Sequence, residues 1–262
     1  MTVLNIDTLG NTPYQVIDPQ NQAKQGMNPT VYNHTVNRRG KYAAFDFEHH
    51  RYKCRECLVG FTIQQQQAYL PTKILIDASG ATTRNAVYLP YLDHFATSVR
   101  LSTNRHPAIR YFFTDNLSGC AVYVDKRTGG RFFAYHVNTH VHSSKEETKR
   151  KAPSRQHAEA THQLQSMHSV SARDQRLYQN RQNQHVCTKD IYLGAADGLK
   201  KKGKKLGLNR RILKKDLLAG TCVLGVRATG GGDNWTFYYQ TWGRLDRKGA
   251  STDLIVIDSA TF

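Results

Sequence analysis

Residues 112–140 read FFTDNLSGCAVYVDKRTGGRFFAYHVNTH. Two runs rich in β-branched and aromatic residues, AVYVD and RFFAYHV, flank the five-residue connection KRTGG. Connections of that length containing Gly close antiparallel strands, so the stretch predicts a β-hairpin. A turn centred on Thr128 sets Cys120 directly opposite His136. Directly opposed residues hold their Cβ atoms about 4.5–5.5 Å apart on one face of the sheet, which brings a thiol close to hydrogen-bonding reach of an imidazole. A slip of one residue would send the two side chains to opposite faces. Ser118 and Gly119, just before the cysteine, leave room for a substrate and expose backbone N–H groups that could hold an oxyanion.

The chain on either side of the hairpin repeats its character. Short β-branched or aromatic segments punctuated by Gly, Pro, Asn and Asp run at Tyr42–Phe47, Val59–Ile63, Lys73–Asp77, Ala86–Leu89 and Ile109–Thr114. Three more follow near the end, at Thr221–Thr229, Trp235–Trp242 and Asp253–Asp258. Residues 1–40 are rich in Asn, Gln, Thr and Pro and predict an irregular extension with one short strand at Tyr14–Ile17. Between about 142 and 190 lies a polar, Gln-, Arg- and His-rich insertion, with a surface helix expected over Ser154–Met167. A second helix is expected from Asn209, with Ile212, Leu213 and Leu217 as its apolar face and Gly220 as its stop. These elements predict an α+β chain: one β-sandwich domain over 41–262 with flanking helices and long loops.

The chain has 262 residues, enough to bury a core without disulfide staples. Its hydrophobic fraction of 39% lies below that of an average soluble domain, which fits the loops and tail read above. No apolar run is long enough to span a membrane, and the first residues lack the pattern of a secretory signal peptide. Five cysteines are an odd number, which argues against a fully paired disulfide framework and fits a reducing compartment.

A net charge of +17 would attract nucleic acid, anionic membrane surfaces or acidic proteins. Much of it is concentrated at Lys200, Lys201, Lys202, Lys204 and Lys205, followed by Arg210, Arg211, Lys214 and Lys215. That run carries no interleaved aromatics of the kind single-stranded nucleic-acid surfaces use. An electrostatic docking surface for an acidic partner is the reading preferred for it, and a solvated face is the plain alternative. His49, His50, Cys54 and Cys57 have spacing seen in zinc sites, with His185 and Cys187 as distant donors. A structural zinc usually needs a second close pair, so no metal is expected. The aromatic strand at Trp235–Trp242 reads as core, with Trp235 or Tyr239 able to rim a cleft. His140 and His142 rival His136 but lie beyond the strand opposed to Cys120.

The string FFT-DN-LSGC-AVYV, with a histidine after the next strand, resembles the glutamine deamidase toxins related to Burkholderia lethal factor. It also looks like the catalytic domain of the cytotoxic necrotizing factors, which share the LSGC turn and a downstream histidine. More distantly, the Thr-x5-Cys spacing is similar to that of the chemotaxis receptor deamidase CheD. The likeness is sharpest over Phe112–His136, and NAVYLPYLDH at Asn85–His94 is similar to the lethal factor's Leu-Pro-aromatic segment. The resemblance implies a sandwich of two mixed sheets with flanking helices, Cys120 as nucleophile, His136 as general base and acid, and Thr114 orienting the imidazole. It implies no cofactor, and a bacterial protein acting in a host cytoplasm on a glutamine of a host protein. Rho-type GTPases and an RNA helicase of translation initiation are the two target classes; the closer local match favours the helicase. The longer front extension, the polar insertion and the strong positive charge depart from the family pattern.

Three other functions use the same residues differently. A transglutaminase would pass the same thioester to an amine, and a thiol protease would cleave peptide bonds with the same pair. A basic nucleic-acid-binding protein would leave Cys120 incidental, with binding that falls steeply with salt.

Overall fold

A computed structural model of the chain describes residues 4–18, 43–46, 51–52, 58–66, 70–77, 81–90, 96–101, 108–117, 120–127, 131–137, 184–187, 191–192, 220–229, 234–247 and 250–262. The strands, in chain order, are Tyr14–Ile17 (β1), Ala43–Asp46 (β2), Arg51–Tyr52 (β3), Leu58–Gln64 (β4), Thr72–Asp77 (β5), Ala86–Leu89 (β6) and Ala96–Leu101 (β7). Then come Tyr111–Thr114 (β8), Ala121–Arg127 (β9), Arg131–Val137 (β10), Gln184–Cys187 (β11), Gly220–Arg227 (β12), Trp235–Arg247 (β13) and Ala250–Thr261 (β14). They form an eight-stranded sheet ordered β1-β5-β4-β6-β8-β12-β13-β14 and a six-stranded sheet ordered β11-β9-β10-β7-β2-β3.

The chain is β-rich, as expected. The larger sheet is mixed, with β1 parallel to β5 and β6 parallel to β8. The smaller sheet is antiparallel throughout its described pairs, not mixed as the resemblance implied. Among the described residues, helical structure amounts to a 3-10 turn at Ile6–Gly10 and two residues at 191–192. Both expected helices, Ser154–Met167 and the one opening at Asn209, lie outside the described residues, as does most of the polar insertion. Gly220 opens strand β12 rather than closing a helix. No helix among the described residues is long and apolar enough to cross a membrane.

Strand β8 shows how one sheet serves two cores. All four of its residues are buried, because its neighbours β6 and β12 cover both edges and both faces are packed. Alternation sends Tyr111 and Phe113 to one apolar cluster and Phe112 to the other. The first cluster gathers Val16, Phe61, Ile74, Tyr88, Phe113 and Leu224 from within the curled large sheet. Phe61 meets Tyr111 and Phe113 edge-on, with ring centroids 5.1 and 4.9 Å apart. The second cluster joins the two sheets: Val87, Phe112, Val223 and Phe237 from the larger, and Val99, Val122, Val124 and Ala134 from the smaller. Trp235 and Tyr239 sit in this shared core, as their strand's composition predicts.

Residues 4–18, read from the sequence as part of an irregular extension, pack onto the large sheet. β1 forms where expected and pairs in parallel with β5. Asn5 caps the 3-10 turn by accepting from the Asp7 N–H at 3.0 Å. Leu4, Leu9, Tyr14 and Val16 are buried. The fully buried amide of Gln240 on β13 holds this segment down. Its Oε1 accepts the Tyr14 N–H at 2.7 Å, and its Nε2 donates to the carbonyls of Leu9 and Thr12 at 2.5 and 2.8 Å. Gln240→Leu keeps the side chain's reach but strands three backbone groups, two in buried and one in part-buried contacts, at a cost of about 3 kcal/mol. Urea titration of the variant should show that loss; an unchanged midpoint would mean the amide is not what anchors the segment.

Candidate functional site

The hairpin of β9 and β10 forms as predicted, but its register is shifted. Arg131 pairs with Arg127, Tyr135 with Tyr123 and His136 with Val122. Cys120 is therefore not directly opposite His136. It sits just before β9 and two residues beyond the partner of His136. The pairing along β9 and β10 is displaced by two positions from the one expected. A shift of two preserves the face. Cys120, Val122, Val124, Phe132 and Ala134 all belong to the core shared by the sheets, which places Cys120 on the His136 side. Diagonal neighbours of this type lie about 7–8 Å apart at Cα and somewhat less at Cβ, within reach of an imidazole.

His136 is anchored from the opposite sheet. The Thr114 hydroxyl on β8 lies 2.7 Å from His136 Nδ1 and donates to the Leu89 carbonyl on β6 at 2.7 Å. A carbonyl can only accept, so the single hydroxyl proton is spent on Leu89 and the oxygen must accept from the ring. That assigns the proton to Nδ1 and makes Nε2 the basic nitrogen. Thr114 is thus held between the imidazole and the Leu89 carbonyl, and the part played by that carbonyl was not foreseen. Leu89 and Thr114 are register partners in the parallel pair β6–β8, so the two segments that carry the resemblance lie side by side.

Thr114 is fully buried, His136 exposes 1% of its surface and Cys120 4%, so the pair is sheltered from bulk water. Burial pulls the imidazole from its usual 6.5 down to about 3. The resting imidazole is therefore neutral, because an imidazolium would be charged in a poorly solvating place.

The loop between β8 and Cys120 is tied at nearly every described residue. Tyr88 Oη donates to Asp115 Oδ1 at 2.5 Å, and the Asp115 N–H reaches the Leu89 carbonyl at 3.4 Å. Asn116 acts as a backbone mimic for β1: Nδ2 donates to the Val16 carbonyl at 3.0 Å and Oδ1 accepts the Val16 N–H at 3.3 Å. Leu117 bridges Thr221 through two backbone hydrogen bonds of 2.7 and 3.3 Å. Tyr192 Oη donates to the Cys120 carbonyl at 2.9 Å. Sequence reasoning missed Tyr88, Asn116 and Tyr192. The Asp-Asn pair before LSGC was a legible turn signal, whereas nothing local marks either tyrosine.

The other expected participants are placed unevenly. Ser118 and Gly119 lie outside the described residues, as do His140, His142, Cys54, Cys57 and Lys200, Lys201, Lys202, Lys204 and Lys205. Cys187, offered as a distant zinc donor, is fully buried in the shared core. β11 pairs it with Val122, on the opposite side of β9 from His136.

No protein-family model and no curated protein matches this chain. Among solved structures it is similar to the C-terminal domain of CNFy from Yersinia pseudotuberculosis, at 12% identity and a TM-score of 0.35, over 90% of this chain and 99% of that one.

The geometry yields two expected outcomes. Between pH 6.5 and about 3 the unfolded chain protonates His136 while the folded chain does not, so this group's contribution to stability falls as pH falls. The slope approaches ~1.4 kcal/mol per pH unit. His136→Asn should flatten that acid limb in urea titrations run across the window, and parallel curves would contradict the buried neutral imidazole. Thr114→Val keeps the shape but removes the acceptor of the Nδ1–H, costing about 1–3 kcal/mol. Thr114→Ser should restore most of it. Equal stability of the two variants in thermal melts would sink the hydrogen bond's role.

Proposed function

We propose that the chain is a protein-glutamine deamidase working through Cys120 and His136. The observation that supports this reading is the 2.7 Å contact of Thr114 Oγ1 with His136 Nδ1, which leaves Nε2 as the unprotonated ring nitrogen on the face that bears Cys120.

Cys120 Sγ attacks the side-chain carboxamide carbon of a glutamine while His136 Nε2 accepts the thiol proton. A tetrahedral oxyanion forms, and backbone N–H groups around Ser118, Gly119 and Cys120 are proposed to hold it, at about 3 kcal/mol per well-placed donor. Collapse breaks the C–N bond, and His136 returns its proton to the departing ammonia. Water then enters, Nε2 takes its proton, and cleavage of the thioester releases glutamate and restores the thiol. Thr114 carries no charge, so it orients the ring without stabilising an imidazolium. A neutral resting pair suits this cycle, since neither partner has to shed a charge before the uncharged carboxamide arrives.

The substrate is proposed to be a host protein with a reachable glutamine, met in the host cytoplasm. The segments at 85–94 and 112–136 resemble the lethal factor, which favours an RNA helicase of translation initiation over a Rho-type GTPase. With a net charge of +17 the chain is suited to docking on an acidic surface, with Lys200, Lys201, Lys202, Lys204 and Lys205 as the proposed contact. Incubating a eukaryotic lysate with the wild type should give a one-dalton gain at a specific glutamine in peptide mass spectra, with ammonia released. Cys120→Ala should abolish both. Undiminished modification by that variant would remove the thiol from the mechanism, an amine-sized gain would mark transglutamination, and backbone cleavage would mark proteolysis.

A further inference from the structure

The LSGC turn is held at both ends, and its two anchors are joined behind it. At the front end, Leu117 exchanges two backbone hydrogen bonds with Thr221. At the back end, the Tyr192 phenol donates to the Cys120 carbonyl at 2.9 Å. The Thr241 hydroxyl donates to the Tyr192 carbonyl at 3.4 Å and lies 3.1 Å from the Thr221 hydroxyl. Because the Thr241 proton goes to Tyr192, Thr221 is the donor in the last contact. The path from Leu117 through Thr221, Thr241 and Tyr192 to Cys120 therefore closes a ring around the turn.

Every member of this ring is buried. Thr241 is fully enclosed, Leu117, Thr221 and Tyr192 expose 1% each, and Cys120 exposes 4%. Hydrogen bonds in such a place are costly to leave unmade, which makes the ring stiff. Its members come from distant parts of the chain. Thr221 is the second residue of β12 and Thr241 lies on β13, at the step where the β13–β14 register shifts. Such irregularities re-aim a strand's side chains. Tyr192 follows β11, the strand that ends the polar insertion and pairs with β9.

We infer that Tyr192, Thr241 and Thr221 form a buried clamp that positions Cys120, so that the return limb of the polar insertion, through Tyr192, completes the site. Tyr192 is a positioning residue, acting through the peptide that carries the nucleophile and not on substrate. This rests on the reading of Cys120 as the nucleophile. Without the phenol, the back of the turn loses its tether and Cys120 leaves its sheltered place beside His136. Its sulfur then becomes easier for a small reagent to reach and less well placed for turnover.

The test compares Tyr192→Phe and Thr241→Val with the wild type, using iodoacetamide as the probe and peptide mass spectra to follow each cysteine separately. Tyr192→Phe keeps the ring and loses only the hydroxyl. Alkylation of Cys120 should rise by about fivefold or more, the order expected for one lost hydrogen bond. Rates at Cys187 and Cys222 should stay within about twofold. Thr241→Val should move Cys120 in the same direction by less, and it serves alone if Tyr192→Phe does not fold. With a modified glutamine identified, kcat should fall in both variants while KM holds. A Cys120 rate within about twofold of wild type, or an equal rise at Cys187 and Cys222, would overturn the clamp. Alkylation needs no glutamine substrate, so a failure of the deamidase reading would show separately, as no ammonia release from the wild type.

Discussion

Thr114 has one hydroxyl proton, and the Leu89 carbonyl takes it. Everything else at the site follows from that constraint. The oxygen is left to accept from His136 Nδ1, which settles the tautomer, the ring's orientation and the identity of the basic nitrogen. The contact also crosses from the larger sheet to the smaller, linking them by a polar bond inside the core they share. An unpaired imidazole N–H at that depth would be costly, so this bond adds a polar constraint on the relative placement of β8 and β10 to the apolar contacts around it.

Burial works in two directions here. It makes the imidazole hard to protonate, which gives up the resting ion pair that more exposed cysteine–histidine couples can form. It also keeps water from competing for the thiol and the ring, which strengthens each hydrogen bond made there. The surrounding strands pay for this shelter in composition: β6 and β8 are buried along their whole lengths and carry large aromatic and aliphatic side chains toward both clusters.

Much of the fold was legible because its central strands are locally emphatic. β6, β8, β9, β10 and β12 lie within or close to the segments predicted, since runs such as YFFT and AVYL have few alternatives to a buried strand. The misses have a common cause. β7 and β11, in ATSVRL and QHVC, carry too few apolar residues to announce themselves, and they are strands because β10 and β9 offer them edges. At the candidate site, Cys120, His136 and Thr114 could be singled out from spacing and resemblance. The residues that hold them could not: Leu89 contributes only a backbone carbonyl, and Tyr192 lies seventy-two positions from Cys120.

The amino-acid sequence by itself determined that the chain is β-rich, that residues 121–137 double back as a hairpin, and that a thiol and an imidazole lie near its open end. Periodicity and turn chemistry are local properties, so a local reading suffices for them. Only the tertiary structure decided the hairpin's register and therefore whether those two groups share a face. Register answers to which side chains the opposite sheet will bury, not to the turn alone. It also decided which ring nitrogen is basic and what holds the cysteine's turn in shape, because each depends on hydrogen bonds between residues far apart in the chain, and pairings at that range leave no periodic trace in sequence.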